Sequence, residues 1–174
     1  MTETILKMQK KVKRYLDKDR YDHTIGVMHT AGCLAMRYGA DLEKALIAGL
    51  LHDCAKCVPS AEKIKLCERN HIEISEAEYQ NPGLLHAKLG AFFARKKYGI
   101  EDEEILRSIE SHTTGRPKMS LLDKIIYIAD YMEPGRDVAP NLPEVRALAF
   151  VDLDACLYRI LEDTLAYLEK KGAT

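Results

Sequence analysis

A chain of 174 residues has the length of one ordinary domain, enough for a single sizeable core. Hydrophobic residues make up 47% and charged residues 30%, which excludes a disordered chain. The formal net charge is -1, from 26 basic and 27 acidic side chains, so the basic excess of a duplex-binding protein is missing and nucleic acid is not an expected partner. No apolar run is long enough to cross a bilayer. The segment Met1 to Lys7 carries Glu3 and no apolar stretch, so it does not read as a secretory signal, and a cytoplasmic location is expected. The odd cysteine count (Cys33, Cys54, Cys57, Cys67, Cys156) fits reduced thiols rather than a disulfide framework.

The apolar periodicity is helical throughout, and an all-α fold is predicted as one domain over residues 1–174. A first helix is predicted over Glu3 to Leu16, and a second from about Asp19 to just before Gly39. Asp41 can cap a third over Leu42 to Ala55, apolar nearly all round and therefore central. Ala61 to Asn70 is a fourth. Ser75-Glu76-Ala77-Glu78 has capping-box spacing for one short turn. Asn81-Pro82-Gly83 predicts a loop. Helices are then expected over Leu85 to Tyr98, Glu101 to His112 and Ser120 to Met132. The acid run Glu101 to Glu104 is read as a solvated first turn. Pro134-Gly135 is a break, followed by a loop through Pro140 and Pro143. Asp152 can cap a last helix reaching about Lys170.

Chemistry concentrates at polar residues that follow apolar runs. His52-Asp53 ends the run Leu46 to Leu51, and burying that pair is costly unless it is paired or bound to a metal. Neighbours on a helix point about 100° apart, yet near a helix end both can bend toward one ion. Upstream, Arg20-Tyr21-Asp22-His23 lies on a helix with Ile25, Val27 and Leu34 available for the core. Downstream, Ile125 to Ala129 ends in Asp130. Two histidines and two aspartates give the mixed nitrogen and oxygen shell that suits Fe, Mn, Zn or Co. The absence of thiolates disfavours a closed structural zinc site.

The order Arg20-x-x-His23, His52-Asp53 and Asp130 resembles the HD-domain metal phosphohydrolase superfamily. His52-Asp53-Cys54-Ala55-Lys56, Asn81-Pro82-x-x-x-His86, the run His112 to Pro117 and the run Leu122 to Glu133 are similar to the YqeK family, over most of residues 20–136. The resemblance implies a symmetrical dinucleoside tetraphosphatase that cleaves diadenosine tetraphosphate into two ADP. It implies His23, His52, Asp53 and Asp130 as ligands of a metal, most often iron, with Mn, Co, Mg or Zn as other candidates. Asp53 is then also expected to orient the nucleophile. His86 and His112 are expected to contact phosphate, complete a second metal position or shuttle a proton, against ordinary helix-end capping. Lys56, Thr113, Thr114, Gly115, Arg20 and Arg136 are the further candidates for phosphate contact, and Arg116 is a weaker one.

Other signals carry less. Cys54-x-x-Cys57 with Cys67 and His71 imitates a zinc knuckle, but its spacing fits no common finger. His29 is expected to be packed or on the surface. Tyr127 and Tyr131 can stack on a base, although helix-packed tyrosines are commoner. The rival functions are another HD phosphohydrolase (a nucleotidase or a cyclic-nucleotide phosphodiesterase), a non-catalytic nucleotide sensor and a plain helical interaction protein. The expected partner is a nucleotide with an ADP or GDP product, no membrane is expected, and the sequence leaves a homodimer open.

Overall fold

The computed structural model describes residues 2–139 and 141–172. Its helices are α1 (Glu3–Val12), α2 (Lys18–Tyr38), α3 (Leu42–Leu51), α4 (Ser60–Arg69), α5 (Glu76–Gln80), α6 (His86–Tyr98), α7 (Glu103–Ser111), α8 (Leu121–Met132), α9 (Leu142–Ala149) and α10 (Leu153–Lys171). A 3₁₀ turn spans Pro82–Leu85, and no strand occurs among the described residues. The helix starts follow side-chain capping. Asp17, Asp41, Asp102 and Asp152 each accept an amide of the first turn, and Ser75 and Ser120 close full capping boxes.

The apolar α3 lies at the centre, against α2, α7 and α8, with α1 over it. Leu50 and Leu51 are fully buried, each stabilising by about 1.5–3 kcal/mol through removal of its side chain from water. Gly49 sets how close α2 can come. A Cβ there would lie 2.9 Å from the Met28 Cα, so the two backbones touch where a side chain would hold them apart. A smaller cluster (Cys54, Ala55, Cys67, Leu85, Leu89, Phe93) forms under α4 and α6.

The helix expected from Glu101 starts at Glu103, because Asp102 is its N-cap and Glu101 precedes it, and four other expectations change more. The first helix stops at Val12, short of Leu16. The third stops at Leu51, because bonds from Cys54 N–H to the Leu51 carbonyl and from Lys56 N–H to the Asp53 carbonyl tighten the chain into successive turns. The predicted Asn81-Pro82-Gly83 loop is the start of the 3₁₀ turn, with Pro82 in its first turn. The predicted loop through Pro143 holds α9, where proline sits in the first turn and its missing N–H is not needed; Pro140 lies outside the described residues.

Candidate metal centre

Five elements converge on one point. His23 comes from α2, His52 and Asp53 from the tightened end of α3, His86 from the first residue of α6, His112 from the C-cap of α7, and Asp130 from the last turn of α8. His52, Asp53, His86 and His112 are all 3% exposed or less.

Each imidazole has one nitrogen fixed by an acceptor outside the cluster. The Nδ1 atoms of His52, His86 and His112 face the carbonyls of Gly49 (2.7 Å), Gly83 (2.6 Å) and Ile109 (2.6 Å). Nδ1 of His23 faces Glu133 Oε1 at 3.0 Å. A carbonyl or carboxylate only accepts, so Nδ1 carries the proton and each Nε2 turns a lone pair inward. Helix-end capping of His86 and His112 therefore accounts for one nitrogen of each ring and leaves the other facing the site.

Inside the cluster, acceptors meet acceptors. His23 Nε2 lies 3.0 Å from Asp130 Oδ1, and His86 Nε2 lies 3.1 Å from His112 Nε2 and 3.2 Å from Asp53 Oδ1. Buried His52 Nε2 and Asp53 Oδ1 have no hydrogen-bond partner. Leaving such atoms unpaired costs about 1–3 kcal/mol each, and a cation removes the conflict. Two groups have ligand atoms close enough to share an ion: His23, His52 and Asp130, and His52, Asp53 and His112. The donor set fits a divalent metal.

Electrostatics agree. Burial alone would raise the Asp53 carboxyl, but His52, His112 and His86 outweigh it and hold it well below the usual carboxylate range. Desolvation acts the same way on Asp130, and the adjacent imidazole of His23, helped by those of His52 and His112, again holds it low. Burial lowers the His86 pKa, so its ring is neutral, the form a metal takes.

The HD-domain family profile matches residues 20–135, a span that contains all six of these residues. The chain belongs to the HD-domain family. Within it, the chain is similar to curated relatives of the YqeK branch. It is 45% identical to the symmetrical bis(5'-nucleosyl)-tetraphosphatase of Bacillus subtilis over 92% of this chain and 86% of that one. It is 35% identical to the protein of the same name from Staphylococcus aureus, over 98% of this chain and 88% of that one. A crystal structure from Clostridium acetobutylicum, of an HD superfamily hydrolase described as involved in NAD metabolism, superposes with a TM-score of 0.92 at 45% identity, covering 97% of this chain and 88% of that one.

The HD-domain centre has a basic and hydroxylic rim. Arg20 Nη1 lies 2.9 Å from Asp53 Oδ2, Arg136 Nη2 lies 2.7 Å from Asp130 Oδ1, and Lys56 Nζ lies 3.2 Å from His86 Nε2. The Thr113 hydroxyl lies 3.1 Å from His112 Nε2 and 3.2 Å from His86 Nε2. Three other candidates are not drawn in. Thr114 turns its hydroxyl to the Gly115 carbonyl, and the Gly115 amide donates to the Ser111 carbonyl. Arg116 is an ion-pair partner of Asp123, 2.5 Å away, inside the capping box of α8. The cysteines form no knuckle: buried Cys54 donates toward the Gly90 carbonyl with its thiol pushed up to about 12 by burial, while exposed Cys57 faces Asp17.

Two residues escaped the sequence reading. Glu133, 3% exposed, orients His23. Arg146 of α9 holds the loop that carries Glu133 and Arg136, donating to the carbonyls of Met132 (2.9 Å), Glu133 (2.9 Å) and Arg136 (2.8 Å). A glutamate before Pro134 and an arginine in a presumed loop gave no signal of either role.

Proposed function

We propose that this chain hydrolyses dinucleoside tetraphosphates at the middle of the bridge, releasing two nucleoside diphosphates, with iron as its metal. The observation that carries the reading is the inward set of four unprotonated Nε2 atoms around Asp53, with Arg20, Lys56 and Arg136 at its rim. His23, His52, Asp53 and Asp130 would hold one ion. Asp53, His86 and His112 would hold a second, with His52 within reach of both. When bound, the metal supplies a water of lowered pKa and polarises a phosphoryl oxygen.

The chain's own residues do the rest. Arg20 and Arg136 each neutralise a ligand carboxylate and present guanidinium nitrogens to a phosphate. Lys56 adds a positive charge beside His86, and Thr113 offers a hydroxyl between the two outer imidazoles. Such a rim favours a long, highly charged phosphate chain, and catalysis would rest on positioning and charge stabilisation. The names of the relatives from Bacillus subtilis and Staphylococcus aureus support the substrate class and the symmetrical outcome.

The test is iron-reconstituted protein incubated with diadenosine tetraphosphate, with products resolved by chromatography. ADP as sole product is expected. ATP with AMP would overturn the symmetrical cut, and intact substrate would overturn the proposal.

A further inference from the structure

Lys63, the fourth residue of α4, is 5% exposed. A lysine is almost never buried without a charged partner. Among the described residues no carboxylate forms an ion pair with this one, and its ammonium donates instead to the Lys56 carbonyl at 3.1 Å. We infer that Lys63 is a positioning residue for the reaction: it fixes the Lys56 backbone and so holds the Lys56 ammonium against His86 and Asp53. The inference rests on the proposed function for the reaction it serves.

Folding alone gives no reason for a cation here. Removing an ammonium from water is costly, and the N-terminal end of a helix repels positive charge. A methionine would fill similar space without either cost. Burial lowers the Lys63 pKa, the Lys56 charge adds to this, and the Asp53 carboxylate opposes it. The carboxylate whose field Lys63 feels is thus a residue of the metal centre.

The bond that Lys63 makes lies at a weak point of the chain. After α3 ends at Leu51, single turns carry the backbone forward, with Lys56 N–H bonded to the Asp53 carbonyl at 2.9 Å and Val58 N–H to that of Ala55 at 3.3 Å. Pro59 then precedes α4 with no side-chain cap. The Lys56 carbonyl falls between these turns and the helix, and the Lys63 ammonium is its one donor among the described residues. Lys63 is itself pinned, because its N–H bonds to the Pro59 carbonyl at 2.9 Å. One side chain therefore ties the start of α4 back across the Pro59 corner to Lys56.

Lys56 needs such a tie. Its side chain is 35% exposed, with Nζ 3.2 Å from His86 Nε2 and 3.8 Å from Asp53 Oδ1. That ammonium ends a flexible four-carbon stem, so its place depends on where the Lys56 backbone is held. Lys63 is too deeply buried to meet a phosphate itself, and it acts through Lys56. A misplacement of about 1 Å at such a site can cost about 100-fold in rate.

The test is a double-mutant cycle on metal-saturated protein. Wild type, Lys63→Met, Lys56→Ala and the pair are assayed for kcat/KM on diadenosine tetraphosphate and for inorganic diphosphate affinity by calorimetry. Lys63→Met removes the donor and the charge and keeps an unbranched stem. It should lower kcat/KM about 5- to 100-fold and weaken diphosphate binding, with metal content and helical content as in wild type. In the Lys56→Ala background the same substitution should change each readout by less than about twofold, because the ammonium it positions is gone. A merely structural lysine would disturb the Asp53 turn in both backgrounds alike. Wild-type kcat/KM and diphosphate affinity in Lys63→Met, a loss undiminished in the Lys56→Ala background, or a loss of metal would each overturn the inference. If Lys63→Met does not fold, Lys63→Gln, whose amide nitrogen ends one bond short of the ammonium, takes its place in the cycle and the same outcomes decide. The two proposals separate cleanly. Symmetrical cleavage at wild-type kcat/KM by Lys63→Met overturns the role of Lys63 and leaves the function standing. A wild type that leaves diadenosine tetraphosphate intact removes the function, and the cycle on diphosphate affinity still decides the role of Lys63.

Discussion

Glu133 accepts the Nδ1 proton of His23 at 3.0 Å while its other oxygen accepts the Gly135 amide at 2.7 Å. Gly26, on the same helix as His23, makes room for it: a Cβ there would collide with the Glu133 carboxylate. A buried carboxylate behind a ligating imidazole fixes the ring and raises its basicity. Glu133→Gln keeps the shape, but its single oxygen cannot serve both donors. We expect metal affinity to fall about 10- to 100-fold with helical content unchanged, measured by competition titration and circular dichroism. Wild-type affinity would show that Glu133 does not support the site.

The contact of α2 with α3 at Gly49 gives a stability prediction. A methyl there meets the Met28 Cα at 2.9 Å, and backbone cannot move aside as a flexible side chain can. Gly49→Ala should destabilise the protein by about 1–3 kcal/mol, even though alanine is the better helix former. Urea unfolding measures it, and a variant at or above wild-type stability would mean that the helices separate freely.

The sequence pointed to His52, Asp53 and Asp130 because each is a polar residue ending an apolar stretch, a pattern that folding alone disfavours, and to His23 through the spacing Arg20-x-x-His23. It disclosed α2, α6 and α10 through their caps and glycine stops. It hid α9, since Pro143 breaks a helix interior and starts a helix equally well. It could not disclose Glu133, whose role depends on a close approach to Gly26 that only the packing of α2 against the end of α8 creates. The direction of the second imidazole nitrogen in His86 and His112 was likewise beyond it, because that follows from the carbonyls of Gly83 and Ile109.

Metal-free protein should lose stability in mild acid. Burial lowers the His86 pKa from its ordinary 6.5, with His112 and Lys56 adding to the effect; the nearby Asp53 carboxylate opposes it without reversing it. The unfolded chain therefore takes up a proton near pH 6.5 that the folded chain refuses. This contribution to stability is whole above pH 6.5 and is lost as pH falls from there toward the folded value. Asp53 and Asp130, held low in the fold, add a second loss below about pH 4. Urea midpoints in chelator should drop between about pH 8 and pH 5, and less so in His86→Gln. A midpoint that is flat or rises on acidification would contradict the buried neutral ring.

The metal ligands should separate by stoichiometry. His52 lies within ligand distance of both groups, His23 belongs to one only, and His86 sits 3.2 Å from Asp53 Oδ1 on the other side. His52→Ala should therefore weaken both ions. His86→Ala should remove one and leave the ion that His23, His52, Asp53 and Asp130 would hold. His23→Ala should do the reverse. Removing His86 also relieves the 3.1 Å approach of its Nε2 to that of His112, so the fold should persist. Elemental analysis after reconstitution, with kinetics on the tetraphosphate, gives the comparison: about two ions per chain in wild type and one in His86→Ala, with turnover greatly reduced. If His86→Ala keeps the wild-type metal content and loses only phosphate affinity, then His86 and His112 serve the substrate and the second position does not exist. If it empties the site as fully as His52→Ala does, the two groups form one indivisible centre, and the division drawn at Asp53 is wrong.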